Sequence, residues 1–312
     1  MLKAIFTPPQ LEHFLSRFDL KPDHLESSFD GWHKRAVLAP DRAFLFPRYE
    51  GDVQVVEREA VALDAVASVT VAPRLLGLHR DERISPYPFL EVERRFGTLY
   101  DDVEDELTVP EIRSILRSLG AATATWHQMD TSAIRDPVDR LPSWDKPIEL
   151  SRQVVEAWWA KLDAFLPADL SPRAAAVERW VAVLRPLADL APVLTHGDVH
   201  ETQILLDDAG NVSTVLDWDH AAVAHPLRDF NFGEWGYGIF RHEAHFDVLY
   251  ESYWEGYRSA RNERLPDFKP LLLFRALSDA VWVADKLLEQ PSSWFHAHRM
   301  SHCLDHINRA VS

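Results

Sequence analysis

The segment THGDVHETQILLDDAGNVSTVLDWD, residues 195–219, carries the clearest structural pattern in the chain. Two short apolar runs, 204–206 and 212–216, flank the polar turn DDAGN, which is typical of a β-hairpin. The strands of a hairpin run antiparallel, so its two open ends lie at the same edge. We therefore expect residues 198–203, before the first strand, to lie next to residues 217–219, after the second strand.

Four side chains with oxygen donors are expected at this edge: Asp198, Gln203, Asp217 and Asp219. Three of them are carboxylates without a lysine nearby in sequence, and their mutual repulsion is unfavourable unless a cation lies among them. Magnesium fits, because it takes hard oxygen ligands from one or two side chains and completes its shell with phosphates and water. The hairpin thus predicts a magnesium site.

The composition is that of a soluble globular protein and excludes several classes of partner. The chain has 312 residues, and 33 Lys and Arg against 49 Asp and Glu give a net charge of −16, which argues against binding to nucleic acids or anionic membranes. The same charge favours a neutral or cationic small partner. Eleven Trp, 16 Phe and 7 Tyr supply a large core and exclude intrinsic disorder.

The cellular location is predicted to be the cytoplasm. The single cysteine, Cys303, cannot form an internal disulfide, which favours a reducing compartment. The N-terminal sequence MLKAIFTPPQLEHF has no basic segment followed by a long apolar stretch, so we expect no secretory signal. No apolar run approaches the roughly 20 residues needed to span a bilayer.

The N-terminal third of the chain mixes strand and helix patterns. Strands are predicted around 36–38, 43–49, 73–78 and 87–93, and an amphipathic helix over 52–67. The order strand, strand, helix, strand, strand is typical of an α+β lobe with a mostly antiparallel sheet.

The remainder of the chain is mainly helical apart from the hairpin. We place the boundary at residue 95, which gives an N-lobe of residues 1–94 and a C-lobe of residues 95–312. The glycine-rich run Gly233–Gly238 lacks a preceding strand and the G-x-G-x-x-G order, so it is not predicted to bind a nucleotide. Helical periodicity is found over 109–128, 149–165, 172–189, 242–261 and 268–289.

The central segment resembles a known family. HGDVHETQILLD, followed 19 residues after Asp198 by the aspartate of LDWD, resembles the catalytic segment of the aminoglycoside phosphotransferases. These enzymes are small-molecule relatives of the protein kinases, and the wider group includes macrolide and choline kinases. The downstream run His225–Asp229 also matches, except that His225 stands where aspartate is usual. The matching motif residues are His196, Gly197, Asp198, His200, Asp217 and Trp218.

The resemblance extends over most of the chain and covers residues 31–230 best. It includes Glu59, at the place of the glutamate of the N-lobe helix, the run 87–97 as the connector between the lobes, and the helix at 119–130. It implies an α+β, two-lobed, protein-kinase-like fold, with a small antiparallel-sheet N-lobe that covers the nucleotide. The large, mainly helical C-lobe is expected to carry the catalytic loop and the acceptor site.

The resemblance also implies roles for individual residues. Asp198 is expected to orient and deprotonate the acceptor hydroxyl, as the catalytic-loop aspartate of kinases does. Asp217 is expected to hold Mg²⁺ against the β- and γ-phosphates of ATP or GTP. Gln203, which replaces the usual asparagine, is expected to be the second metal ligand, with the same amide oxygen on a longer arm. Asp229 is expected to be structural, shaping the catalytic loop.

One departure concerns the cation that binds the α- and β-phosphates and pairs with the helix glutamate. The family has Lys or Arg two residues before the strand's proline, and here that residue is Leu45. The candidates to replace it are Arg48, Arg35 and Lys34. Positions 45 and 48 face opposite sides of a strand, so Arg48 can substitute only if Pro47 breaks the strand.

These features predict ATP- or GTP-dependent phosphorylation of a hydroxyl group on a small molecule. The acceptor is expected to be an aminoglycoside-like or macrolide antibiotic, which would make the enzyme an antibiotic-resistance protein. The alternatives are a metabolic kinase of an amino alcohol or sugar, or a nucleotide-binding pseudokinase, which Leu45 and Gln203 suggest. The C-terminal residues His298, His302 and His306 have the spacing of metal ligands, but a solvated or packed terminal helix is favoured.

Overall fold

The structure is a computed structural model, and it describes residues 2, 5–28, 33–131, 152–166, 173–188, 190–229, 245–261 and 268–312. It combines a small antiparallel sheet with many helices, which confirms the predicted α+β class. The glycine-rich run at 233–238 lies outside the described residues.

The strands are β1 (Glu26–Ser28), β2 (Lys34–Leu38), β3 (Arg42–Pro47), β4 (Leu75–His79), β5 (Phe89–Glu93), β6 (Thr98–Leu99), β7 (Val193–Thr195), β8 (Ile204–Leu206), β9 (Val212–Val215) and β10 (Ala222–Ala224). The helices are α1 (Pro8–Phe18), α2 (Val53–Ala65), α3 (Tyr100–Val103), α4 (Val109–Trp126), α5 (Arg152–Leu162), α6 (Arg173–Leu184), α7 (Phe246–Ala260), α8 (Phe268–Glu289) and α9 (Trp294–Val311).

The chain divides into two compact units, each assembled from three separate segments. Unit 1 consists of Met1–Ser143, Val193–Ala224 and His242–Arg261, and unit 2 contains the rest of the chain. Unit 1 therefore holds the N-terminal sheet, the hairpin and two long helices. The lobe boundary at residue 95 stays a prediction.

The main sheet of unit 1 has the strand order β1-β2-β3-β5-β4, and all its pairs are antiparallel. The register between β2 and β3 pairs Lys34 with Pro47 and Ala36 with Leu45. Paired residues share a face of the sheet, and side chains alternate along each strand. Lys34 and Leu45 therefore lie on one face, and Arg35 lies on the other.

Helix α1 covers the face that carries Arg35, and sequence analysis did not predict this helix. Thr7 and Gln10 form a capping box at its start, and a proline occupies its first turn. Phe14 is fully buried, and its ring centroid lies 4.8 Å from that of Phe44 on β3. This aromatic packing leaves the opposite face of the sheet for α2 and the site.

Two helices of unit 1, α4 and α7, cross at a pair of glycines. A Cβ atom on Gly256 would lie 1.8 Å from the backbone oxygen of Arg117. A Cβ atom on Gly120 would lie 2.0 Å from the backbone oxygen of Tyr253. Both contacts are far closer than carbon and oxygen allow, so only glycine permits this crossing.

We therefore expect Gly256→Ala to destabilise the protein. The added methyl group must separate two backbones, and overpacking of this kind costs about 1–3 kcal/mol or more. Gly51→Ala is the matched control, because a Cβ at Gly51 meets nothing within 4 Å. Thermal unfolding followed by circular dichroism measures the difference. Equal melting temperatures for the two variants would contradict the close crossing.

In unit 2, α9 packs on α8 through buried residues such as Met300 and Ile307. His302 and His306 on α9 are also buried, and their Nε2 atoms lie 3.0 Å apart. His298 is exposed and stacks on Trp294 instead. Of the two expected alternatives, a solvated or a packed terminal helix, the structure shows the packed one, and the three histidines do not converge.

Candidate active site

The hairpin predicted from the sequence is present. Strands β8 and β9 pair antiparallel, and the carboxylate of Asp207 accepts hydrogen bonds from the backbone N–H groups of Ala209 and Asn211 in the turn. At the open end, the backbone N–H of Leu216 donates to the backbone oxygen of Gln203 over 2.8 Å. This bond ties the end of β9 to the loop before β8, as the pattern predicts.

His196 holds the loop that carries Asp198. Its ring is fully buried, and its Nε2 lies 2.8 Å from the backbone oxygen of Leu216. Its Nδ1 lies 3.3 Å from the backbone nitrogen of Asp198. A neutral ring with the proton on Nε2 satisfies both contacts, donating at Nε2 and accepting at Nδ1. His196 therefore positions the loop of Asp198 through hydrogen bonds.

Asp198 is oriented from within its own loop. Gln203 donates from Nε2 to Asp198 Oδ2 over 3.2 Å, and His200 Nε2 lies 3.8 Å from the same oxygen. The side chain of Asp198 is 29 % exposed, so a ligand has access to it. The structure thus presents this carboxylate in a fixed orientation at an accessible position.

Asp217 follows β9 in an unusual backbone conformation. Its φ of 66° and ψ of 64° lie in the left-handed region, which non-glycine residues seldom adopt. Such residues occur mostly where the surrounding structure holds them for a function. The conformation turns the chain sharply at the point where the LDWD motif leaves the strand.

The carboxylates at this edge surround a lysine from the main sheet. Lys34 Nζ lies 2.6 Å from Glu59 Oε2 and 3.2 Å from Asp219 Oδ2, and it also contacts Asp217 Oδ1. We call these four residues the Lys34 cluster. No lysine lies near these carboxylates in sequence, but β2 brings Lys34 in from a distant part of the chain, and its ammonium group offsets part of their repulsion.

The charges in the cluster shift the pKa values of its members. Burial disfavours the ammonium form of Lys34, but the three carboxylates outweigh burial and raise its pKa above the ordinary lysine value. Burial raises the pKa of both Glu59 and Asp219, and the attraction of Lys34 only partly offsets this. For Asp217 the attraction of Lys34 outweighs burial, and its pKa is lowered. Asp217 is thus the most readily ionised of the three acids.

The residues predicted to hold magnesium fit that role. Gln203 Oε1 is buried and has no hydrogen-bond partner within the described ranges, which leaves it open to a cation. The side chain of Asp217 is 37 % exposed, and its carboxylate is a hard anionic ligand. The described part of the chain contains no group of three or more His, Cys, Asp or Glu side chains arranged for a metal ion. The donor atoms of Gln203 and Asp217 suit magnesium, which takes oxygen ligands from one or two side chains and completes its shell with phosphates and water.

The structure gathers some of the predicted site residues and separates others. It brings Glu59 and Asp217 together around Lys34, and it joins Asp198 to Gln203. The register places Arg35 on the opposite face of the sheet from Leu45.

The roles predicted for three further residues, two arginines and one aspartate, are not tested by these contacts. Arg48 follows β3, with its backbone N–H bonded to His33. The phosphate roles predicted for Arg35 and Arg48 stay predictions, and so does the structural role of the buried Asp229.

Several solved structures that share this fold are phosphotransferases. The GDP and kanamycin complex of APH(2″)-IIIa is 14% identical, covers 99% of this chain and 98% of its own, and gives a TM-score of 0.60. The apoenzyme of macrolide 2′-phosphotransferase MphH from Brachybacterium faecium is 20% identical over 96% of each chain, with a TM-score of 0.57. The streptomycin–ATP–APH(2″)-IIa ternary complex is 13% identical over 91% of this chain and 90% of its own, with a TM-score of 0.58. The fold is that of the kinase-like phosphotransferases.

The chain belongs to the phosphotransferase enzyme family, whose profile matches residues 30–268. A curated relative, the uncharacterized protein YcbJ of Bacillus subtilis (strain 168), is 51% identical over 37 residues. That match spans 12% of each protein. Among the described residues, no helix has both the length and the apolar character needed to cross a membrane.

Proposed function

We propose that the protein transfers the γ-phosphoryl group of ATP or GTP to a hydroxyl group of a small molecule. The observation that carries this proposal is the placement of Asp198. Its carboxylate is accessible and held by Gln203, and the same loop is tied to the strand that leads into Asp217. A base for the acceptor and a ligand for the donor's metal ion thus come from one hairpin.

The chemistry assigned to Asp198 is that of a general base. The acceptor hydroxyl donates a hydrogen bond to the Asp198 carboxylate, which orients its oxygen toward the γ-phosphorus. As the new P–O bond forms and the bond to the bridging oxygen breaks, the hydroxyl proton passes to Asp198. Asp217 and the amide oxygen of Gln203 are the ligands assigned to Mg²⁺, which supplies positive charge to the phosphates when bound.

The donor and acceptor classes draw support from the similar structures and from charge. Those structures contain GDP with kanamycin and ATP with streptomycin, which supports a purine nucleotide as the donor. The net charge of −16 attracts polycations over a distance, so we propose an aminoglycoside-like acceptor and a role in antibiotic resistance. A macrolide, an amino alcohol or a sugar as the acceptor is the alternative.

The cytoplasm is the location proposed for this reaction. Cys303 is a free, buried thiol, and burial raises its pKa well above the ordinary cysteine value. ATP and GTP are supplied in the cytoplasm.

A nucleotide-consumption assay tests the proposal. The purified protein is given ATP or GTP with Mg²⁺ and a panel of kanamycin, streptomycin, a macrolide, choline and a hexose. We expect turnover with an aminoglycoside, and we expect kcat/KM to fall as salt screens the attraction between the acidic protein and the cationic acceptor. If the protein binds nucleotide but consumes none with every acceptor of the panel, it is instead a pseudokinase.

A further inference from the structure

The phosphates of a bound nucleotide need a cation on the face of the sheet that carries Leu45, and leucine provides none. The face is fixed by the register, because Leu45 pairs with Ala36 on one side and with Leu90 on the other. Any side chain that replaces the missing cation must project from this face. Residues on the other face point toward the aromatic packing under α1.

Lys34 meets this condition. It lies two residues from Ala36, so it projects from the same face as Leu45 and is its diagonal neighbour across β2 and β3. Diagonal neighbours in an antiparallel pair lie about 7–8 Å apart, within the reach of long side chains. An ammonium group carried by Lys34 can therefore reach the region that a lysine at position 45 would reach.

The contacts of Lys34 show where its ammonium group lies. It is 2.6 Å from Glu59 on α2, the glutamate that the resemblance pairs with the phosphate-binding cation. It also contacts Asp217, the residue assigned to the metal ion. The Lys34 side chain is only 11 % exposed, so its ammonium group is held in place.

We infer that Lys34, projecting from β2, binds the α- and β-phosphates of the nucleotide in place of the cation that position 45 lacks. This inference rests on the proposed function. It places the lysine of the lysine–glutamate pair on β2, whereas the family carries this cation at the position of Leu45 on β3. Leu45 is then no sign of an inactive enzyme.

The decisive experiment moves the lysine between the two strands. Nucleotide dissociation constants are measured by fluorescence titration with Mg²⁺ present, because the three carboxylates of the cluster oppose the binding of a bare polyphosphate. Lys34→Ala is expected to raise the dissociation constant roughly tenfold or more, through loss of a charge-assisted hydrogen bond. Adding Leu45→Lys to this variant is expected to recover most of the affinity.

Controls separate a binding role from a folding role. Lys161→Ala removes an exposed lysine paired with Asp285 in unit 2, and it is expected to leave the dissociation constant unchanged. Loss of Lys34 leaves three carboxylates without their cation, so every variant is checked by thermal unfolding. If Lys34→Ala does not fold, the variant Lys34→Gln/Glu59→Gln keeps a neutral hydrogen-bonded pair and is expected to show the same loss of affinity.

The outcomes are distinct. A folded Lys34 variant that binds nucleotide as the wild type does overturns the inference and leaves the proposed function standing. A double variant with Leu45→Lys that binds no better than Lys34→Ala also overturns it, because the two positions are then not equivalent. Failure of the wild-type protein to bind any nucleotide overturns both the inference and the proposed function.

Discussion

Asp198→Ala is expected to lower the turnover number by a factor on the order of 10²–10⁴, because the acceptor hydroxyl loses its positioned base. The nucleotide dissociation constant is expected to stay nearly unchanged. Asp198 contacts Gln203 and His200 within its own loop and takes no part in the Lys34 cluster. Steady-state kinetics with the best acceptor of the panel and a nucleotide titration together measure this contrast.

Asp198→Asn refines the test, since asparagine keeps the shape of the side chain and an oxygen to accept the bond from Gln203. A comparable loss of turnover in both variants assigns the effect to proton acceptance rather than to packing. More than a tenth of the wild-type rate in either variant would remove Asp198 from the role of base.

Asp217→Asn is expected to abolish most of the effect of magnesium on nucleotide binding. Removal of groups that merely support a metal ligand typically lowers metal affinity 10- to 100-fold, so loss of the charged ligand itself should weaken Mg²⁺-dependent binding about 100-fold or more. Nucleotide titrations with Mg²⁺ and with a chelator measure the dependence. Gln203→Asn is expected to be mild, because it preserves the amide oxygen.

The matched control for Asp217→Asn lies in the same hairpin. Asp208→Asn makes the same chemical change at an exposed position of the turn, away from the open end. It should leave both titrations as in the wild type. An unchanged magnesium dependence in Asp217→Asn would show that this carboxylate does not hold the metal ion.

The hairpin and its site could be predicted because their geometry is local. The turn from Asp207 to Asn211 fixes the pairing of β8 and β9, and antiparallel pairing then brings the loop of Asp198 next to Asp217. His196 is a similar case, since both of its contacts lie within the same segment. Each inference depends on residues about 20 positions apart or fewer.

Lys34 could not be singled out from the sequence, because its contacts are not local. Its partner Asp217 is 183 residues away, and its face depends on the register between β2 and β3. The apolar pattern places the start of a strand near Ala36, whereas β2 begins at Lys34 itself. A shift of one residue in register would reverse the faces of Lys34 and Arg35.

Helix α1 had a readable signal that the sequence analysis did not use. Thr7, Pro8 and Gln10 form a capping pattern, and Leu11, Phe14, Leu15 and Phe18 recur at helical spacing.

The crossing of α4 and α7 has a consequence for how the protein folds while it is being made. Gly120 meets a residue of α7 that is translated about 130 residues later, and at 5–20 residues per second this delay is on the order of ten seconds. During that time the nascent chain carries α4 without the helix that packs on it. Unit 1 therefore cannot close as its first segment emerges from the ribosome, and chaperones that bind apolar helix surfaces have time to act on it.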